Sequence, residues 1–450
     1  MRNRLILWSV TAAMAGFLFG FDTVVISGAE STIQELWQLQ DLTHGVAMSA
    51  ALWGTVLGSM IGGIPTDAFG RRKTLLWIGV LYFVSAIWSG LATDPYSFMV
   101  ARFIGGLGVG ISTVTAPLYI SEISPPSSRG KLAGMFQFNI VFGILVAFLS
   151  NFLLAQLFPA GPGDEPSVAW RWMLGVEAIP ALIYSLMCLG LPESPRWLIA
   201  ERGEREAGLV VLQQVMPDQS PAEIEALADE IEAATQQTSA AGTVHRSKLL
   251  LPFALAFLIA FFNQLSGINA ILYFAPRIFE LTGLGKEAAL LQSVGIGVTN
   301  LIFTFVGLAL IDRLGRKTLM LIGSLGYIAS LGLCAWAFQS ENYSIVAPCI
   351  FAFIAAHAVG QGAVIWVFIS EIFPNRYRAN GQALGSATHW VFAASLTLVF
   401  PYAVEQFPAS SVFAFFCGMM VLQLLWVILM MPETKGVPLE DIERKLGIHE

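Results

Sequence analysis

Charged side chains are scarce. Asp, Glu, Lys and Arg make up 12% of the 450 residues, about half the ~25% of an ordinary soluble domain. So few charges exclude a water-soluble core as the organising feature. Cysteine is scarce as well. Cys188, Cys334, Cys349 and Cys417 all fall in or beside apolar runs, with no metal-ligand spacing and no disulfide framework. There is no nucleotide loop, no metal-spaced His/Cys cluster and no nucleophile elbow, which argues against an enzyme, a cofactor, a resident metal or a nucleic-acid partner. The glycine run Gly105-Gly106-Leu107-Gly108-Val109-Gly110 fits close helix packing, not phosphate binding.

What is abundant is apolar surface, with 56% hydrophobic residues and a mean hydropathy of +0.68. The expected solvent is therefore a lipid bilayer, which takes about 20 apolar residues per helical span. Twelve such stretches are predicted, near 6–27, 46–66, 74–93, 97–120, 132–156, 170–191, 249–279, 287–311, 318–338, 345–370, 381–404 and 410–431. The fold class is thus an all-α membrane protein of two six-helix halves. Arg2 and Arg4 precede the first run, and Ser27-Gly28-Ala29 resembles a cleavage site. The run is too long for a secretion signal, so it reads as the first span.

Basic residues fix the expected orientation. Arg71-Arg72-Lys73, Arg129, Arg196, Arg246, Arg313, Arg316, Lys317, Arg378 and Lys435 fall on one side, while only Arg171, Arg277 and Lys286 fall opposite. Both termini are then cytoplasmic and the cell inner membrane is the expected location. The predicted domains are residues 1–192 and 249–431, a cytoplasmic linker at 193–248 and a tail at 432–450. In the linker, Ser220-Pro221-Ala222-Glu223 reads as a capped helix start, and 233–247 reads as flexible.

The halves repeat. Asp67-Ala68-Phe69-Gly70-Arg71-Arg72 is matched by Asp312-Arg313-Leu314-Gly315-Arg316-Lys317. Glu122 with Arg129 is matched by Glu371 with Arg378, and Pro192-Glu193-Ser194-Pro195-Arg196 is echoed by Pro432-Glu433-Thr434-Lys435-Gly436. Six-span repeats mark carriers that rock about a midplane site.

Two features lie inside the spans. Phe262–Phe274 places Asn263, Gln264, Ser266 and Asn269 within an apolar run. Amides there need protein, water or a ligand as partners. A regular helix splays Gln264 and Asn269 by about 140°, whereas a break at Ser266-Gly267 would aim both into one cavity. Bonding between neighbouring helices is the plainer alternative. The second feature is Asp22 in span one, roughly 24 Å from the inner end, with Arg102 of span four at roughly 22 Å. Opposite charges at similar depth predict a buried pair, which is either a proton site or a purely structural contact.

In its paired motifs the chain resembles the sugar porter family of the major facilitator superfamily, over nearly its whole length. The resemblance implies a secondary transporter of a monosaccharide, working as a monomer. It implies that Asp67, Arg71, Arg72, Glu122, Arg129, Glu193, Arg196, Asp312, Arg316, Glu371, Arg378 and Glu433 form a cytoplasmic latch between the halves. It implies coupling of proton and sugar through Asp22 and Arg102. The implied sugar pocket comprises Phe19, Gln137, Asn263, Gln264, Asn269, Asn300, His357, Trp366, His389 and Trp390, with Tyr273 and Phe274 as the gate. A passive uniporter and a non-transporting sugar sensor remain the alternatives.

Several positions depart from the family pattern. Asn263 replaces the usual glutamine, and Phe274 replaces a gate tyrosine. Gly362 lacks the proline that usually follows, so a softer bend is expected in span ten, and Gln361 adds an amide just before it. His357 and His389 resemble the fructose-carrying branch, which favours D-fructose over D-glucose, D-galactose or D-xylose. Trp366 points the other way. The same histidines could instead tune proton coupling, since histidine titrates near neutral pH.

Overall fold

The computed structural model describes residues 2–125, 129–159, 168–240, 249–374 and 377–437, with Ile442, Arg444 and Leu446 of the tail. The described residues form helices and connecting turns, without strands. The first six spans begin with α1 (Arg2–Val25), the short α2 (Glu30–Leu36), α3 (Asp41–Ile61) and α4 (Gly63–Phe69). They continue with α5 (Arg71–Leu91), α6 (Pro95–Ile123), α7 (Arg129–Leu157), α8 (Ala169–Gly175) and α9 (Ala178–Cys188). The connecting segment carries α10 (Pro195–Ala200), α11 (Arg205–Val215) and α12 (Pro221–Ala240). The last six spans are built from α13 (Leu250–Leu265), α14 (Ile268–Tyr273), α15 (Ala275–Glu280), α16 (Lys286–Leu314) and α17 (Arg316–Gln339). They end with α18 (Val346–Val359), α19 (Gln361–Glu371), α20 (Arg378–Gln406) and α21 (Ala409–Leu429).

Among the described residues, eleven stretches are long and apolar enough to cross a membrane as helices. The predicted sixth span, 170–191, is made of α8 and α9, separated only by Val176 and Glu177, whose backbones keep right-handed helical dihedrals. Two spans are interrupted. The seventh divides into α13, α14 and α15, and the tenth divides at Gly360 between α18 and α19. The bend expected in span ten is present. Even without the proline, Gly360 leaves helical geometry (φ −86°, ψ −98°), one residue before Gln361. Its backbone packs on Gly323 of α17, where a Cβ would crowd the contact.

The linker expectation also needs correction. Residues 233–240 continue α12, since the three alanines and two glutamines of this stretch support a helix, whereas 241–247 lie outside the described residues. The capping box forms as predicted. Ser220 N and Oγ donate to Glu223 Oε2 at 2.7 and 2.9 Å, and the bond from the backbone N–H leads in holding the Glu223 carboxyl below its usual range. The glycine run in α6 packs closely, as expected: a Cβ on Gly106 would strike the carbonyl of Ala51 on α3. All four cysteines are free thiols.

Helix α3 runs along α20, and α7 along α16, so the first and last six spans meet across two long seams. Polar contacts between them cluster at the face opposite the termini. There, Arg277 Nη1 of α15 donates to Gln34 Oε1 at 2.8 Å and lies 3.5 Å from Glu30. Glu30 in turn pairs with His44 at 2.8 Å. Lys286 donates to Thr32 at 3.1 Å, and Gln156 to Glu287 at 2.8 Å. At the termini face no ion pair joins the two sets of spans among the described residues. The molecule is closed at the distal face.

Candidate functional site

The repeated charged motifs fold into two matching clusters. Arg71 grips Glu122 with two bonds, Nε to Oε2 at 2.9 Å and Nη2 to Oε1 at 3.0 Å, and reaches Asp67 Oδ1 at 3.1 Å. Glu193 accepts from the backbone N–H groups of Arg71 and Arg72 at 2.8 and 3.1 Å. The second half repeats this pattern. Arg316 holds Glu371 at 3.0 and 2.7 Å and Asp312 at 3.1 Å. Glu433 accepts from the N–H groups of Arg316 and Lys317, both at 3.0 Å. The turn glycines Gly70 and Gly315 have φ of +88° and +94°, and a Cβ on either would strike the glutamate that caps the turn. Each cluster therefore closes within its own half, and among the described residues no pair of the expected latch spans the two halves in this conformation. Arg378 Nε donates to the Ser370 carbonyl at 2.8 Å. Arg196 is exposed, without an ion pair among the described residues. The Arg129 side chain lies outside them.

Asp22 and Arg102 meet as predicted. Arg102 Nη1 donates to Asp22 Oδ1 at 2.6 Å and Nη2 to the Asp22 carbonyl at 3.0 Å. Both side chains are 2% exposed. The sequence reading missed a third member. Glu177, at the junction of α8 and α9, is buried close enough to the pair for its charge to be felt by both Asp22 and Arg102. Its Oε1 has no hydrogen-bond partner among the described residues. The signal was present in the sequence, because an acid inside the apolar stretch 170–191 is as anomalous as Asp22 in span one.

The amide segment breaks where the sequence predicted. α13 ends at Leu265, Gly267 takes φ +86°, and α14 begins at Ile268. The break turns Asn269 back onto Gln264, and Nδ2 donates to Oε1 at 3.0 Å. Gln264 Nε2 donates to Asn263 Oδ1 at 2.9 Å and lies 3.2 Å from both ring nitrogens of His389. Aromatic rings extend the same surface. Trp366 lies 5.4 Å from His389, His389 4.7 Å from Trp390, and Trp390 5.5 Å from Phe19 of α1. One group of side chains thus joins α1, α13, α14, α19 and α20. Amide donors and acceptors beside flat apolar rings suit a ligand with many hydroxyls and an apolar face.

Three expected members stand apart from this group. Gln137 on α7 is half-buried and has no hydrogen-bond partner among the described residues. Asn300 is buried on α16 and, among the described residues, accepts only from Thr304, at 3.5 Å. His357 Nδ1 is bonded to Tyr327 Oη at 2.6 Å, a partner that the sequence did not indicate. Tyr273 and Phe274 are fully enclosed, with Phe274 stacked 5.0 Å from Phe400. They lie on the distal side of the amides, towards His44. Among the described residues no His, Cys, Asp and Glu group could hold a metal ion.

Comparison with known proteins agrees with this architecture. The family described as "Sugar (and other) transporter" matches residues 8–446. The chain is 35% identical to an arabinose-proton symporter of Bacillus subtilis, over 98% of this chain and 94% of the relative. It is 32% identical to the D-xylose-proton symporter of Escherichia coli, over 98% and 96%. It is 33% identical to a glucose transport protein of Synechocystis, over 97% and 96%. Its fold is similar to the xylose transporter XylE of E. coli in a partially occluded inward-open conformation, with a TM-score of 0.85 at 29% identity, covering 96% of this chain and 99% of that one. With XylE bound to 6-bromo-6-deoxy-D-glucose the TM-score is 0.80 at 30% identity, covering 99% of each. The chain belongs to the sugar porter family of the major facilitator superfamily.

Proposed function

We propose that this protein carries a monosaccharide together with a proton across a cell membrane, by alternating access between the halves 1–192 and 249–431, with both termini in the cytoplasm. The observation that carries this reading is the buried Asp22–Arg102 pair with a second buried acid, Glu177, near it, in the same molecule as an amide and aromatic pocket. If Asp22 and Glu177 were both ionised, Arg102 would leave one negative charge unpaired in a buried site, which is strongly unfavourable. A single proton on either acid relieves this. Gain and loss of that proton changes the grip on Arg102, which ties α1 to α6.

In this reading the structure is the inward-facing state. Its polar contacts between halves cluster at the distal face, with Tyr273 and Phe274 shut above the amides. The charged clusters at the termini face then exchange partners when the carrier turns outward. Arg71 and Glu122 are only 7% and 9% exposed, so the exchange needs a new partner for each charge as the old one is lost.

Aldoses such as D-xylose, D-glucose and D-galactose are the first candidates, supported by relatives named for arabinose, xylose and glucose. D-Fructose is the second reading. His389 favours it by standing against Gln264, whereas His357 is taken up by Tyr327. A competition panel of these sugars in proteoliposomes, with and without a pH gradient, tests substrate and coupling together. Stimulation of one sugar's uptake by the gradient supports symport. Uptake indifferent to the gradient would make the protein a passive uniporter.

A further inference from the structure

Behind the pocket a row of buried amides runs outward through three more helices. Asn263 Nδ2 donates to Gln361 Oε1 at 3.4 Å, Gln361 Nε2 to Gln423 Oε1 at 2.7 Å, and Gln423 Nε2 to Ser324 Oγ at 2.8 Å. These side chains come from α13, α19, α21 and α17, and none is more than 2% exposed. We infer that Gln361 and Gln423 are positioning residues of the sugar site, which fix the orientation of the amides that meet the ligand. This inference rests on the sugar-pocket reading above.

The polarity of the row follows from its far end. Ser324 gives its only hydroxyl hydrogen to the Met320 carbonyl, at 2.7 Å. It can then only accept from Gln423, so the NH2 group of Gln423 faces Ser324 and its oxygen faces Gln361. The same constraint passes along the row. Gln361 must turn its NH2 to Gln423 and its oxygen to Asn263, Asn263 its oxygen to Gln264, and Gln264 its oxygen to Asn269. Flipping any one amide sets donor against donor or acceptor against acceptor in a buried site, which costs far more than an exposed mismatch.

The consequence lies at the pocket end. Asn269 has spent a donor on Gln264, which leaves its Oδ1 as an acceptor for a ligand hydroxyl. The second N–H of Gln264 points to the His389 ring, so one ring nitrogen accepts. A neutral imidazole then carries its hydrogen on the other nitrogen, as a donor for a ligand oxygen. The row fixes the Asn269 acceptor, and the His389 donor stands on whichever ring nitrogen does not accept, since both lie 3.2 Å from Gln264; together they discriminate between sugars that differ in the direction of one hydroxyl. Gln361 occupies the break in span ten, which lets it reach Asn263, the shorter amide of the pair.

The test measures uptake of D-xylose and D-glucose by the full-length protein in proteoliposomes, with D-galactose, the C4 epimer of glucose, as competitor. Gln361→Met and Gln423→Leu keep approximate volume but interrupt the row. KM for the transported sugar is expected to rise roughly tenfold, and the preference between the epimers to shrink, with the effect falling on KM rather than on kcat. Ser324→Ala, which removes only the terminal hydroxyl, should give the same change, and Ser324→Thr should restore discrimination. Gln264→Ala is the control. If it abolishes affinity while the Gln361, Gln423 and Ser324 variants keep the original KM and epimer preference, the inference is overturned and the pocket stands. If Gln264→Ala leaves affinity unchanged, the pocket reading falls and the inference falls with it.

Discussion

The residues that stand out singly are polar groups inside apolar sequence. Gln264, Asn269, Asp22 and Arg102 could be read from the chain because each breaks a hydrophobic run, and the structure gives every one of them a polar partner. The partner was harder to read. Glu177 carries the same signal as Asp22, yet its position near the Asp22–Arg102 pair depends on how span six packs against span one, a tertiary arrangement that the apolar pattern does not encode. His357 shows the converse. Its position matched a pocket, but Tyr327, thirty residues away in sequence, captures its Nδ1. His389 keeps its place against Gln264 and the two tryptophans. His389→Gln should therefore raise the ratio of aldose to ketose uptake several-fold, up to roughly tenfold, as read by competition between D-glucose and D-fructose. An unchanged ratio would remove His389 from sugar choice.

At the scale of helices, ends were legible and interruptions only partly so. Span limits follow hydropathy closely, since α5, α16 and α20 each begin at a basic residue. The Ser266-Gly267 break could be foreseen because four polar residues and a glycine coincide there. The break at Gly360 could not, because it arises from close approach of α17 through Gly323, which is a tertiary contact. Gly267 is the sharpest case for a substitution. Its φ is +86°, and a Cβ would lie 2.8 Å from the Phe416 ring. Gly267→Ala should cost about 1–3 kcal/mol, visible as a lowered Tm in detergent, and should displace Asn269 from Gln264. An unaltered Tm with normal sugar affinity would mean that the break tolerates a side chain.

For the whole molecule, the repeat was legible because its motifs recur in order, and the two charged clusters fold alike around Arg71 and Arg316. Which face is shut was not legible, because a carrier's sequence encodes both states. The distal closure rests on Arg277, which reaches Gln34 and Glu30 across the seam as well as Glu405. Arg277→Ala should shift the population toward the state open at that face. Spin labels at Gln38 and Gln406, exposed near the distal ends of the two halves, should then report a longer mean distance, and an unchanged distribution would exclude Arg277 from the closure. Proton coupling is likewise a property of the whole molecule, carried by Asp22, Arg102 and Glu177 but expressed only as linked movement. The most direct measurement is sugar-driven proton uptake into proteoliposomes, compared for the wild type and Asp22→Asn. The account predicts that sugar entry acidifies wild-type vesicles and that Asp22→Asn abolishes the acidification while leaving sugar exchange intact. Sugar uptake by the wild type without acidification, or acidification that survives Asp22→Asn, would contradict it.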